Sequence, residues 1–260
     1  GIYNQGKDVA PDLYLGLLNM QHRGKESAGI ATSLDGQLFF QGGMGELPQA
    51  FWLHQENAGS LAGNLVPGSL DKLKGRVGIG QVRYSTTGDS NSCNLQPTRG
   101  SFRGKEFYGC HNGNIVNQRE LRKITNTADK LSDTQIIVDL ISLSQKQNFE
   151  DAVLETIKKL QGAFNLIFIY NDTLFAVKDR FGFHPLLLGD RSGDHILASE
   201  SCVFDHLGGK IISDVRPGEF IVIDRSGYKA VHWTKEASLK VDLFEYIYFQ
   251  RPDSIAHGIE

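Results

Sequence analysis

Residues 132–178 read SDTQIIVDLISLSQKQNFEDAVLETIKKLQGAFNLIFIYNDTLFAVK, and a change of period inside this run decides the fold. Ile136, Ile137, Leu140 and Ile141 fall on one helical face behind a Ser132-x-x-Gln135 capping box. A second helix puts Phe149, Val153, Ile157 and Leu160 on one stripe, sets Glu155 to meet Lys159 and stops at Gly162. Beyond it, residues 164–170 and 173–178 are apolar runs of strand length around the turn pair Asn171-Asp172.

The flanks supply more strands. Residues 185–188, 195–198, 219–223 and 228–233 read as strands, the last two joined through Ser226-Gly227. Toward the N-terminus, Leu13, Leu17 and Met20 recur at helical spacing after Pro11, and Gly24 reads as the stop of that helix. Strands at 28–32 and 37–41 flank the hairpin signal Asp35-Gly36; a short helix is expected at 48–54 and further strands at 76–83 and 106–111. Strands, a helix pair and strands again make an α+β chain. Two sheets with helices outside bury all of its apolar faces at once.

With 260 residues, 40% hydrophobic and 22% charged, the chain can build a substantial core and is no disordered tail. A formal charge of −3 gives no electrostatic footprint for nucleic acid or an anionic membrane. No apolar run approaches the roughly 20 residues of a spanning helix. Cys93, Cys110 and Cys202 are scattered, with no C-x-x-C pair. This argues against a disulfide framework or a four-thiolate metal site and fits a reducing cytoplasm. Residues 1–235 are expected to form one domain and residues 236–260 a connection toward another. Because Gly1 is not preceded by an initiator methionine, the chain is expected to continue upstream as well as beyond Glu260.

Four stretches can carry chemistry. His111-Asn112-Gly113-Asn114 reads in two ways: as a tight hairpin turn, or as two donors, the Asn112 amide and the Gly113 N–H, converging on one oxyanion. Arg83, in Arg83-Tyr84-Ser85-Thr86, is either a solvated strand end or a bidentate partner for a substrate carboxylate, with the Thr86 hydroxyl beside it. Asp133 suits the first turn of its helix through the macrodipole, and it also suits a substrate ammonium. An amino-acid substrate needs both an arginine and an aspartate. Gln21-His22-Arg23-Gly24 reads as a helix stop and turn, with His22 hydrogen-bonded rather than metal-bound. Gly78-Ile79-Gly80 lacks the third glycine of a dinucleotide loop, and no phosphate loop, zinc-protease motif or serine elbow occurs.

Taken together, QHRGKESAGIAT (21–32), VRYSTTG (82–88), NLQP (94–97), HNGNIVN (111–117) and SDTQ (132–135) resemble the class II glutamine amidotransferase domain of the N-terminal-nucleophile hydrolases. DRFGFHPLLLG (179–189), ASESCVFD (198–205), VRPGE (215–219) and FEYIYFQRPDS (244–254) bring the resemblance closest to the amidophosphoribosyltransferases. Glucosamine-6-phosphate synthases share the HNG segment but are not expected to carry residues 244–254.

The resemblance implies a four-layer αββα sandwich. It implies that Arg83 binds the glutamine α-carboxylate and Asp133 its α-ammonium, with Thr86 nearby, and that Asn112 and Gly113 form an oxyanion hole. Family chains start Cys-Gly-(Ile/Val)-Phe-Gly-Ile, so Gly1 and Ile2 match the fifth and sixth positions and the nucleophilic cysteine lies upstream of this chain. Cys110 is then strand packing, and the chain is expected to bind glutamine without hydrolysing it; a glutamine-binding module with no thiol is the alternative. The implied acceptor is phosphoribosyl pyrophosphate, which is handled with magnesium in a further domain, and homo-oligomers are usual in the family. Asp242 stands where many relatives carry a cysteine ligand, so an iron–sulfur cluster held in that way is not expected.

Overall fold

The computed structural model describes residues 1–51, 67–84, 92–240 and 242–255. In chain order the elements run β1 (Ile2–Tyr3), α1 (Ala10–Asn19), β2 (Ser27–Leu34), β3 (Gln37–Met44), α2 (Leu47–Ala50), β4 (Val77–Arg83), β5 (Thr98–Phe102) and β6 (Lys105–Ile115). Then come α3 (Gln118–Thr125), α4 (Asp133–Leu143), α5 (Phe149–Ile157), β7 (Gly162–Tyr170) and β8 (Thr173–Lys178). The last are β9 (Leu187–Arg191), β10 (Asp194–Ala198), α6 (Cys202–Leu207), β11 (Lys210–Asp214), β12 (Glu219–Asp224) and β13 (Gly227–His232).

The strands form two antiparallel sheets, ordered β11-β9-β10-β1-β4-β2-β3 and β13-β12-β8-β7-β6-β5. Three apolar cores follow from period-two strands with two buried faces. On β7, Phe164, Leu166 and Phe168 turn outward onto Ile137, Ile141, Phe149 and Val153 of α4 and α5. Ile169, from the same strand, turns inward and joins Ala31, Ile79, Leu174 and Leu197 between the sheets. On the far side, Leu13 and Leu17 of α1 and Val203 and Phe204 of α6 cover Ile30, Val82 and Ile196. Helices, sheet, sheet and helices are therefore four layers, as the resemblance implied. No helix among the described residues is long and apolar enough to cross a membrane.

Several local expectations are corrected. Asn112-Gly113 is no hairpin turn: both residues lie inside β6, opposite Asn165 and Phe164 of β7. The eleven-residue strand overrides the local turn preference. The first helix ends at Asn19, and Gly24 closes a separate 3₁₀ turn over Gln21–Arg23. Ser132 does precede α4, but its side chain makes no capping bond, and Gln135 instead donates to Asp139 Oδ1 at 2.8 Å. The short helix is α2 at Leu47–Ala50, and residues 52–54 of the expected span lie outside the described residues.

Candidate active site

At one end of the sandwich, a cavity of about 330 Å³ opens between the end of β4, the later part of β6 and the start of α4. Its wall includes Arg83, Asn112, Gly113 and Asp133, which the sequence singled out from three separate stretches. Thr86, the fifth residue, lies outside the described residues.

Each of the four is fixed by its element. Arg83 ends β4, is 4% exposed, and its Nη1 donates to Glu26 Oε1 at 2.8 Å. Gly24 lies against it: a Cβ there would fall 2.3 Å from the Arg83 carbonyl carbon, so only glycine lets the 3₁₀ turn approach this strand end. Asn112 presents a buried Nδ2 with no hydrogen-bond partner among the described residues. A donor left unmet inside a protein is costly, so it marks a place where something is meant to accept.

Gly113 completes that place. Alternate residues of an antiparallel strand send their N–H groups to the same edge. On the edge of β6 away from β7, His111 N–H donates to Gln96 Oε1 at 3.0 Å and Ile115 N–H to Asp133 Oδ2 at 3.2 Å. The N–H of Gly113 lies on this edge between them. Its φ is 150°, and a Cβ would fall 2.0 Å from the carbonyl oxygen of Ala163, so no side chain fits.

Asp133, 4% exposed, is the first residue of α4. Burial alone would raise its carboxyl; facing His111 and bonds from the Ile115 and Thr134 N–H groups outweigh this and hold it below the usual carboxylate range. It stays an anion in the cavity wall. Cys110 also lines the cavity, but burial pushes its thiol up to about 12, which leaves almost no thiolate at neutral pH.

Sequence reasoning missed a supporting layer. Gln81 Nε2 donates to the His111 carbonyl at 2.7 Å, and Gln96 Nε2 to Thr134 Oγ1 at 3.0 Å, which ties β4, β6 and α4 into one frame. A glutamine inside the apolar strand run 77–83 was the one available signal. Arg23, His184, Glu245 and Phe249 line the cavity as well. The last two come from residues 236–260, which the sequence reads as a connection toward another domain.

Comparison with known proteins fits this geometry. A model of the glutamine amidotransferase domain matches residues 82–206. Over 99% of its length the chain is 34% identical to an amidophosphoribosyltransferase of Staphylococcus aureus and 35% identical to one of Methanothermobacter thermautotrophicus. It spans about half of these relatives, 50% and 53% of their lengths. The solved structure of glutamine phosphoribosylpyrophosphate amidotransferase from B. subtilis, complexed with ADP and GMP, superposes over 100% of this chain and 54% of that one, with a TM-score of 0.88 and 30% identity. The chain is thus similar to the glutamine amidotransferase domain over residues 82–206 and, over its whole length, to about half of the length of these amidophosphoribosyltransferases.

Proposed function

We propose that this chain is the glutamine-hydrolysing part of an amidophosphoribosyltransferase. The observation that carries the reading is the unmet, buried Asn112 amide beside Gly113, set in one cavity wall with Arg83 and Asp133. Arg83 takes the α-carboxylate of glutamine through its guanidinium fork and Asp133 the α-ammonium. The carboxamide oxygen then lies toward Asn112 and Gly113. When a thiolate adds to the carboxamide carbon, these donors hold the oxyanion; the nitrogen takes a proton and leaves as ammonia. Water opens the resulting thioester, releasing glutamate and the thiol.

The thiol comes from upstream. β1 pairs Ile2 with Gly78 of β4 on one side and with Ile196 of β10 on the other. Continued in the same register, the four positions before Gly1 run along Gly80, Gln81, Val82 and Arg83, all of which line the cavity. The family's cysteine is the fourth of these, opposite Arg83. Ammonia released there displaces pyrophosphate from phosphoribosyl pyrophosphate, in the remainder of the protein, to give phosphoribosylamine.

Titration calorimetry on residues 1–260 tests the reading. Glutamine is expected to bind without being hydrolysed, and adding Cys-Gly-Ile-Phe before Gly1 is expected to start ammonia release. Absence of glutamine binding, or hydrolysis by residues 1–260 unextended, overturns it.

A further inference from the structure

The segment after β13 is built into the cavity rather than hung from the domain. Ser238 N–H and Lys240 N–H donate to the carbonyls of Arg180 and Phe181. A π-helical turn over Glu245–Phe249 then brings Glu245, 2% exposed, inward. Its carboxylate pairs with Arg23 through one oxygen and with His184 Nδ1 at 3.1 Å through the other. Lys178, itself buried at the end of β8, adds a positive charge facing the same carboxylate.

Arg23 holds a second carboxylate. Its Nη1 donates to Glu200 Oε1 at 2.7 Å, which His22 Nε2 also meets at 2.7 Å. The other Glu200 oxygen accepts from Ser254 Oγ at 2.9 Å and from the Arg251 N–H at 3.2 Å. One guanidinium thus sits between a carboxylate of the domain and a carboxylate of the segment; Glu245 meets it directly, and Arg251 and Ser254 meet its partner Glu200. Arg23, His184, Glu245 and Phe249 all share the cavity with Asn112 and Arg83.

We propose that Glu245 is a positioning residue for the glutamine site, holding Arg23 and His184 in the cavity wall so that docking of residues 242–255 and binding of glutamine stabilise each other. The inference rests on the glutamine reading above. It makes the segment a coupling element: by reciprocity, whatever shifts the segment shifts glutamine affinity by the same factor, and glutamine tightens the segment.

The test uses the full-length protein, reading ammonia release against glutamine concentration and hydrogen exchange over residues 242–255. Glu245→Gln keeps the shape and removes the charge. It is expected to raise the KM for glutamine about tenfold to a hundredfold, and to speed exchange in both 242–255 and 21–24. Glu245→Asp retains the charge at shorter reach and is expected to fall between Gln and wild type. Glutamine is expected to slow exchange of the segment in the wild type only. A KM within twofold of wild type in Glu245→Gln overturns the proposal, as does a raised KM with unchanged exchange. If the wild-type protein releases no ammonia at all, the functional reading has failed instead.

Discussion

Two cavities open at opposite ends of the sandwich, and among the described residues the larger one is lined by no buried side-chain polar atom that lacks a partner. The second cavity, about 550 Å³, lies among the hairpin ends and is lined by Ser33, Arg76, Asp172 and Asp224. Its polar groups answer one another. Ser33 Oγ donates to Asp172 Oδ1 at 2.5 Å, Gly36 N–H to Asp172 Oδ2 at 2.9 Å, and Ser226 N–H and Oγ to Asp224 Oδ1. In the smaller cavity the Asn112 amide is left without a partner. Hydrogen-bonding capacity left open, rather than volume, separates a site from a gap between turns.

Substitutions at the two ends should break this contrast if it is wrong. In the protein carrying its upstream cysteine, Asn112→Ala is expected to lower glutamine turnover about 10²–10³-fold with little loss of stability; steady-state ammonia release and thermal unfolding measure the two. The next effect is on stability. The Glu200 carboxyl is held at about 2, below its ordinary 4.5: burial would raise it, but the bonds from His22 and Arg23 outweigh burial. A depressed carboxyl stabilises the fold above its unfolded pKa and loses that contribution as pH falls from about 4.5 toward about 2. Urea unfolding of wild type is therefore expected to weaken across that window by about 3 kcal/mol more than that of Glu200→Gln.

Arg83→Lys keeps the charge but loses the guanidinium fork, and should raise the KM for glutamine by roughly tenfold. Ser33→Ala, in the satisfied cavity, should cost about 1 kcal/mol in unfolding free energy and leave the glutamine KM unchanged. A KM effect from Ser33 as large as that from Arg83 would erase the distinction between the two ends.

The sequence made some of this legible and hid the rest for physical reasons. α4, α5, β7 and β8 announce themselves because their apolar residues repeat at 3.6 and then at 2 over long runs. β1 has two residues, too few to carry any period, although it lies inside a sheet. β5 buries Thr98 and Phe102 at its ends and exposes Arg99 and Ser101, so it reads as a loop. β11 is mostly exposed, and α3 buries only Leu121. At the site, residue types were readable and their convergence was not. Arg83 and Asp133 are fifty positions apart, and only the tertiary fold brings the end of β4 and the start of α4 to one cavity. The Asn-Gly pair misled because turn propensity is local, while strand register is decided by a partner fifty residues on.

One consequence of β1 concerns the order of assembly. The seven-stranded sheet is two ribbons, β2 to β4 and β9 to β11, sewn together by Ile2 and Tyr3. Among the described residues the strands of the two ribbons are joined only through that stitch, which pairs Ile2 with Gly78 and with Ile196. Ile2 and Tyr3 must therefore wait for a partner almost two hundred residues further along the chain, and loop closures this long slow folding.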